Sequence, residues 1–113
     1  MSRAAVASVC LAAALAGCVA GRGRSEPEFV GRELSVEARN GQVSTLRFRG
    51  DGNVMARFGE RETEGRWALE DRRLCFTWAG NFRECWPREA PFRRGRTVTI
   101  TSDRGNVVQV TMR

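Results

Sequence analysis

The chain has 113 residues and a formal net charge of +6, with 19 basic residues, all arginine, against 13 acids, and no His, Lys or Tyr. That length holds one small domain and leaves no room for a separate cofactor-binding half. The missing His removes the commonest general base and metal ligand, while the arginine surplus favours anionic partners. Charged residues at 28% and hydrophobic residues at 42% suit a folded domain rather than bulk disorder.

Met1 to Arg3 is a short positive start, followed by an apolar run from Ala4 to Ala16 broken only by Ser8. Thirteen residues are too few to cross a bilayer as a helix. The run ends in Leu15-Ala16-Gly17-Cys18, which resembles the lipobox of bacterial lipoproteins at all four positions. The alternative, a buried Ala-rich helix with an incidental Cys, fits the charged start and terminal placement less well. The resemblance implies a signal peptide over 1–17, cleavage before Cys18, loss of Cys10 and acylation (palmitate or a similar chain) of Cys18. Each buried methylene of such a chain contributes about 0.8 kcal/mol to membrane attachment. Val19 stands where lipoproteins retained in the inner membrane usually carry Asp, so the resemblance implies the periplasmic face of the outer membrane of a Gram-negative cell. The mature chain would then carry 18 arginines against 13 acids, or +5.

Cysteine parity supports the same compartment. With Cys10 removed and Cys18 lipidated, Cys75 and Cys85 are left as one pair for an oxidising environment. A reactive or metal-binding pair is the rival reading; nine intervening residues and the absence of His count against it.

Val19 to Glu28 is Gly-, Arg-, Ser- and Pro-rich without an apolar period and reads, with Cys18, as a tether over 18–28. Gly21-Arg22-Gly23 lacks a third glycine, a preceding strand and a following helix, so it is no phosphate loop. From Phe29 to Arg113 short alternating runs are broken by Gly, Asp and Asn, the pattern of strands and hairpins. Strands are expected near 31–37, 43–49, 53–58, 64–70, 73–78, 82–87, 96–101 and 106–112.

Apolar pairing sets the register. A three-residue loop Gly50-Asp51-Gly52 pairs Phe48 with Val54 and Leu46 with Ala56, whereas a two-residue turn would put Arg57 opposite Leu46. Asp103-Arg104-Gly105 repeats the device, pairing Ile100 with Val108 and Val98 with Val110. In both, the final Gly supplies positive φ for a bulged turn. A tight Asp71-Arg72 turn pairs Leu69 with Leu74 and Trp67 with Phe76. A loop Ala79-Gly80-Asn81 pairs Trp78 with Phe82 and Leu74 with Trp86. The last register, chosen by the aromatics, also sets Cys75 opposite Cys85, where a bridge is sterically possible.

The expected fold class is all-β, an eight-stranded antiparallel meander forming a small barrel or flattened sandwich with one disulfide. The expected apolar face is Leu46, Phe48, Val54, Phe58, Trp67, Leu69, Leu74, Phe76, Trp78, Trp86, Val98, Ile100, Val108 and Val110. A domain this small buries a modest core, which makes the disulfide important to stability.

Candidate chemistry is sparse. Glu84 falls on the apolar face opposite Phe76, where a carboxylate can act as an acid, bind a cationic ligand, pair with an arginine or simply meet water at a sheet edge. Trp67, Trp78 and Trp86 could line a ligand surface beside it, or serve as core. Phe92-Arg93-Arg94-Gly95-Arg96, with Arg88 close by, is the densest positive patch, either a solvated loop or a contact for phosphate or carboxylate on an envelope component. Nucleic acid is not expected, because the protein reads as exported and its acids are interleaved with its arginines. Arg49-Gly50-Asp51 spells an adhesion tripeptide, but its Gly and Asp already serve a turn.

No cofactor, metal or enzymatic activity is expected. Nucleotide binding would need a phosphate loop, and hydrolysis without His or Lys would need a carboxylate pair. Glu60, Glu62 and Glu64 alternate along one segment, as in a solvated loop or edge.

Gly31-Arg32-Glu33-Leu34, Phe48 with Asp51-Gly52, Gly65-Arg66-Trp67, Leu74-Cys75, Cys85 and Thr101-Ser102-Asp103-Arg104-Gly105 occur in an order that resembles small exported β-rich proteins of alphaproteobacteria. The resemblance spans Phe29 to Arg113, rests on turn and core residues, and implies fold only. Some of those proteins carry the label dihydrodipicolinate reductase. The Gly-rich turn, helix and His-containing site that such an enzyme needs do not occur in this sequence.

The function expected is therefore a non-catalytic envelope lipoprotein that meets an anionic or protein partner at the membrane. The other reading is a small ligand-binding or enzymatic barrel using Glu84 and the tryptophan face. A filled core would favour the first, and a closed barrel with an enclosed cavity lined by Glu84 the second.

Overall fold

A computed structural model describes residues 26–113; the signal segment, Cys10, Cys18 and the tether up to residue 25 lie outside the described residues. Eight antiparallel strands follow one another as β1 (Glu33–Ala38), β2 (Val43–Phe48), β3 (Asn53–Phe58), β4 (Arg61–Glu70), β5 (Arg73–Trp78), β6 (Phe82–Pro87), β7 (Thr97–Thr101) and β8 (Val107–Met112). Among the described residues the one helical turn is the 3-10 turn Ala79–Asn81. The strands hydrogen-bond in the order β6-β5-β4-β3-β2-β1-β8-β7. Because β8 returns to β1, with Val36 opposite Val110, the meander curls into a nearly closed barrel whose seam lies between β6 and β7.

The four hairpins whose register was read from apolar pairing, β2–β3, β4–β5, β5–β6 and β7–β8, take that register. Phe48 faces Val54, Trp67 faces Phe76, Leu74 faces Trp86, and Ile100 faces Val108. Gly52 and Gly105 sit at φ of 96° and 85°, the left-handed geometry that a bulged three-residue turn requires. Asp51 shapes its loop, accepting the Asn53 N–H on Oδ1 (3.0 Å). Asp71 and Arg72 both have positive φ, the mirror-image turn that matches strand twist. Cys75 and Cys85 are cross-strand partners with Cα atoms 4.0 Å apart and form a disulfide on the outer face of β5 and β6.

Antiparallel order gives the barrel two unlike ends. The base carries the turns 49–52 and 71–72, the connection 88–96 and the entering chain. The mouth carries the connections 39–42, 59–60, 79–81 and 102–106.

Two residues expected on the buried face are exposed, Phe58 at 41% and Leu69 at 40%. Their strand parity is inward, but each lies at a strand end where no opposing wall covers it. Conversely, Phe29, Leu34, Phe92 and Met112 belong to the core though absent from the expected set. Phe29 and Phe92 come from outside the strands and fold inward across the base, with Phe29 packed edge-on against Phe48 (4.7 Å), Trp67 (5.2 Å) and Phe92 (6.1 Å). This plug fills the lower half of the interior.

Candidate functional site

The strand that carries the disulfide also aims Glu84 inward, because residues 82, 84 and 86 share a face opposite to that of Cys85. Glu84 lies directly across from Phe76. Phe76 stacks on Trp78 (5.8 Å between centroids, 12° between planes) and meets Trp86 edge-on (4.8 Å, 69°). Trp78 reaches this position because its neighbour on the adjacent strand β4 is Gly65, where a Cβ would stand 2.5 Å from the indole and 2.8 Å from the Thr77 carbonyl oxygen.

These side chains line a cup of about 580 Å³ in the upper half of the barrel, open at the mouth. Buried Phe76 and Trp86 form its floor, and Trp78, Leu46, Ala56 and Val108 its walls, with Arg39, Asn40, Gln42 and Asn106 around the rim. The size falls within the roughly 300–1,000 Å³ of small-molecule sites. The interior is thus divided, filled at the base and hollow at the mouth. Of the residues expected to face a ligand, the structure brings Glu84, Trp78 and Trp86 together and leaves Trp67 out. Trp67 belongs to the base plug, where its Nε1–H donates to the Arg49 carbonyl (2.8 Å).

Glu84 is placed by a residue that sequence reasoning missed. Asn106 Nδ2 donates to Glu84 Oε2 (2.7 Å) from the connection between β7 and β8. That connection closes the seam one residue at a time. Buried Ser102 accepts the N–H groups of Arg104 (3.1 Å) and Asn106 (3.2 Å) on its Oγ. Asp103 accepts the Cys85 N–H on Oδ1 (2.9 Å) and donates its own N–H to the Cys85 carbonyl (3.0 Å), imitating the ladder pair that β6 and β7 do not make. Arg104 donates to the Arg83 carbonyl (2.8 Å) and covers the Phe82 ring. The Ser102-Asp103-Arg104-Gly105 run, expected above as a hairpin loop and as part of a resemblance, is also a clasp across the seam. Ser and Asp three and two residues ahead of the positive-φ Gly105 were the available signal for it.

The arginine patch separates into two kinds. Arg88 is committed to Glu28: its Nη2 pairs with both carboxylate oxygens, while its guanidinium lies over the Phe29 and Phe92 rings at 5.4 and 5.8 Å. Glu28 also accepts the Phe92 N–H (2.8 Å). Burial pushes the Glu28 carboxyl up, but the Arg88 and Phe92 hydrogen bonds outweigh it and hold the group below its ordinary value. Arg88 is therefore structural, which corrects its expected place among the free anion-binding residues. Arg93, Arg94 and Arg96 are exposed at the base and, among the described residues, make no ion pair. Arg93 and Arg96 line a hollow of about 630 Å³ beside β7 that also contains Glu89. A third hollow on the outer face gathers Arg32, Arg47, Arg49 and Arg57, three of which face acids, Arg47 against Glu33 at 2.7 Å, Arg49 against Asp51 at 3.8 Å and Arg57 against Glu62 at 3.7 Å.

Among the described residues no group of three or more His, Cys, Asp or Glu converges as metal ligands would. No helix there is long and apolar enough to cross a membrane. No family model, curated protein or solved structure matches the chain.

Proposed function

We propose that the chain is a non-catalytic lipoprotein of the bacterial envelope, held by acylated Cys18 on the periplasmic face of the outer membrane, whose barrel is a binding module. The observation that supports it is the unlike ends of the barrel. The chain enters at a plugged base, so an anchor upstream holds that end toward the lipid, and the cup opens on the opposite side. A small molecule taken into the cup is the reading favoured by Glu84 beside Trp78 and Trp86 in a hollow of ligand size. A second contact, with anionic headgroups or an anionic protein, is favoured by exposed Arg93, Arg94 and Arg96 at the base, where an anchored domain would meet the membrane.

Catalysis has little to work with. Glu84 is the lone carboxylate in the cup, and the group beside it is an amide. Proton transfer with turnover needs a partner able to give or take the second proton.

The test is metabolic labelling of the full chain with a radioactive fatty acid in a Gram-negative host, beside Cys18→Ser. The parent should be labelled and sediment with membranes, and the variant should do neither. A parent that stays unlabelled and soluble overturns the anchor. Hydrolysis of peptidoglycan, ester or phosphoester substrates that vanishes in Glu84→Gln overturns the absence of catalysis.

A further inference from the structure

We infer that the cup selects an organic cation, an ammonium group carried on an apolar body. The inference rests on the reading of the cup as a ligand site. Its basis is a carboxylate left without a cation in an arginine-rich chain. The sequence has 19 basic residues, yet among the described residues none pairs with Glu84. Its one side-chain partner is Asn106, a neutral donor to Oε2, which fixes the carboxylate, and among the described residues no side chain donates to Oε1.

The surroundings are those an ammonium prefers. Phe76 is the cross-strand partner of Glu84, and Trp78 and Trp86 pack on Phe76, so aromatic rings stand beside the charge. Aromatic faces are electron-rich and attract cations, most strongly for Trp. A carboxylate next to such rings adds a charge-assisted hydrogen bond if the nitrogen carries a proton, and Coulomb attraction if it does not. An anion would meet Glu84 and be repelled. A neutral apolar guest would strip water from Glu84 and give nothing back. Arg39, the one cation lining the cup, is exposed on the β1–β2 connection at the rim. It leaves the floor to Glu84 and the aromatics.

Three probes of one shape separate the possibilities: phenyltrimethylammonium, its neutral isostere tert-butylbenzene, and the anion benzenesulfonate. Each is titrated into the purified mature chain, and into Glu84→Gln and Trp78→Leu, with calorimetry and tryptophan fluorescence as readouts. Glu84→Gln keeps the side-chain shape and the carbonyl that accepts from Asn106, so it removes charge and little else. The cation should bind, lose roughly tenfold or more in Glu84→Gln, weaken in Trp78→Leu, and outcompete both other probes. Equal binding of the cation and the neutral isostere, unchanged in Glu84→Gln, would overturn the cation preference and leave a ligand cup standing. Failure of all three probes to bind would overturn the cup as a ligand site altogether. A preference for benzenesulfonate would contradict the inference and point to Arg39.

Discussion

Gly65 is the smallest residue of the barrel interior and decides the shape of the cup. It faces Val54 across β3 and β4 while the Trp78 ring lies over it. Any side chain there must displace either an indole or the Thr77 carbonyl oxygen, and the backbone atom cannot yield. Gly65→Ala should therefore cost about 1–3 kcal/mol from overpacking and change the near-ultraviolet circular dichroism of Trp78, measured beside chemical unfolding. A variant as stable as the parent with an unaltered aromatic spectrum would show that Trp78 does not rest there. At the base, Glu28 ties the entering chain to the segment sixty residues later. Its carboxyl is held below the ordinary value of 4.5, so the folded state gains from ionisation. That gain is complete above the ordinary value and is lost as pH falls through the lowered one. Glu28→Gln should be less stable than the parent by about 2 kcal/mol at neutral pH, and the gap should be narrower at an acid pH below 4.5. Urea unfolding of both proteins at the two pH values checks it, and a gap that widens in acid would contradict the sign.

At the level of strands and turns, the β5–β6 hairpin carries the most constraint. Its disulfide closes an eleven-residue ring next to the seam. In the chain-entropy view it contributes about 2.8 kcal/mol. Reduction should lower the melting temperature by roughly 10–20 °C, and scanning calorimetry with and without reductant measures it; no change would show that the seam is held by the Asp103 clasp alone. The same hairpin shows why so much of the fold was legible. Strand register is a local matter of alternation and turn length, and Trp78, Phe82, Leu74 and Trp86 admit only one apolar pairing, which brought Cys75 and Cys85 together without being asked to. The plug was not legible. Phe29 and Phe92 sit in the polar, Pro-containing runs Glu26-Pro27-Glu28 and Ala90-Pro91, with no alternation to mark them, and only curvature of the whole sheet creates the hole they fill. Phe58 and Leu69 are the reverse case. Alternation assigns them to the inner face correctly but carries no information on where the barrel ends. The Glu84–Asn106 contact was hidden for a third reason, since it crosses a seam between strands that are not hydrogen-bonded neighbours.

Across the whole molecule, the two ends of the barrel are built differently. Aromatic packing and the Glu28–Arg88 pair seal the base, and glycine, an amide and a carboxylate keep the mouth open. The three tryptophans report on this division, because Trp67 belongs to the base while Trp78 and Trp86 line the cup. Their indole N–H groups are resolvable by nuclear magnetic resonance, so a titration of the nitrogen-15-labelled mature domain with phenyltrimethylammonium reads both ends at once. The Trp78 and Trp86 signals and the Asn106 side-chain amide should shift together and saturably, while Trp67, with its N–H locked to the Arg49 carbonyl, stays in place. Shifts confined to Trp67 and the amides of Arg93 to Arg96, or no saturable shift at any indole, would contradict it.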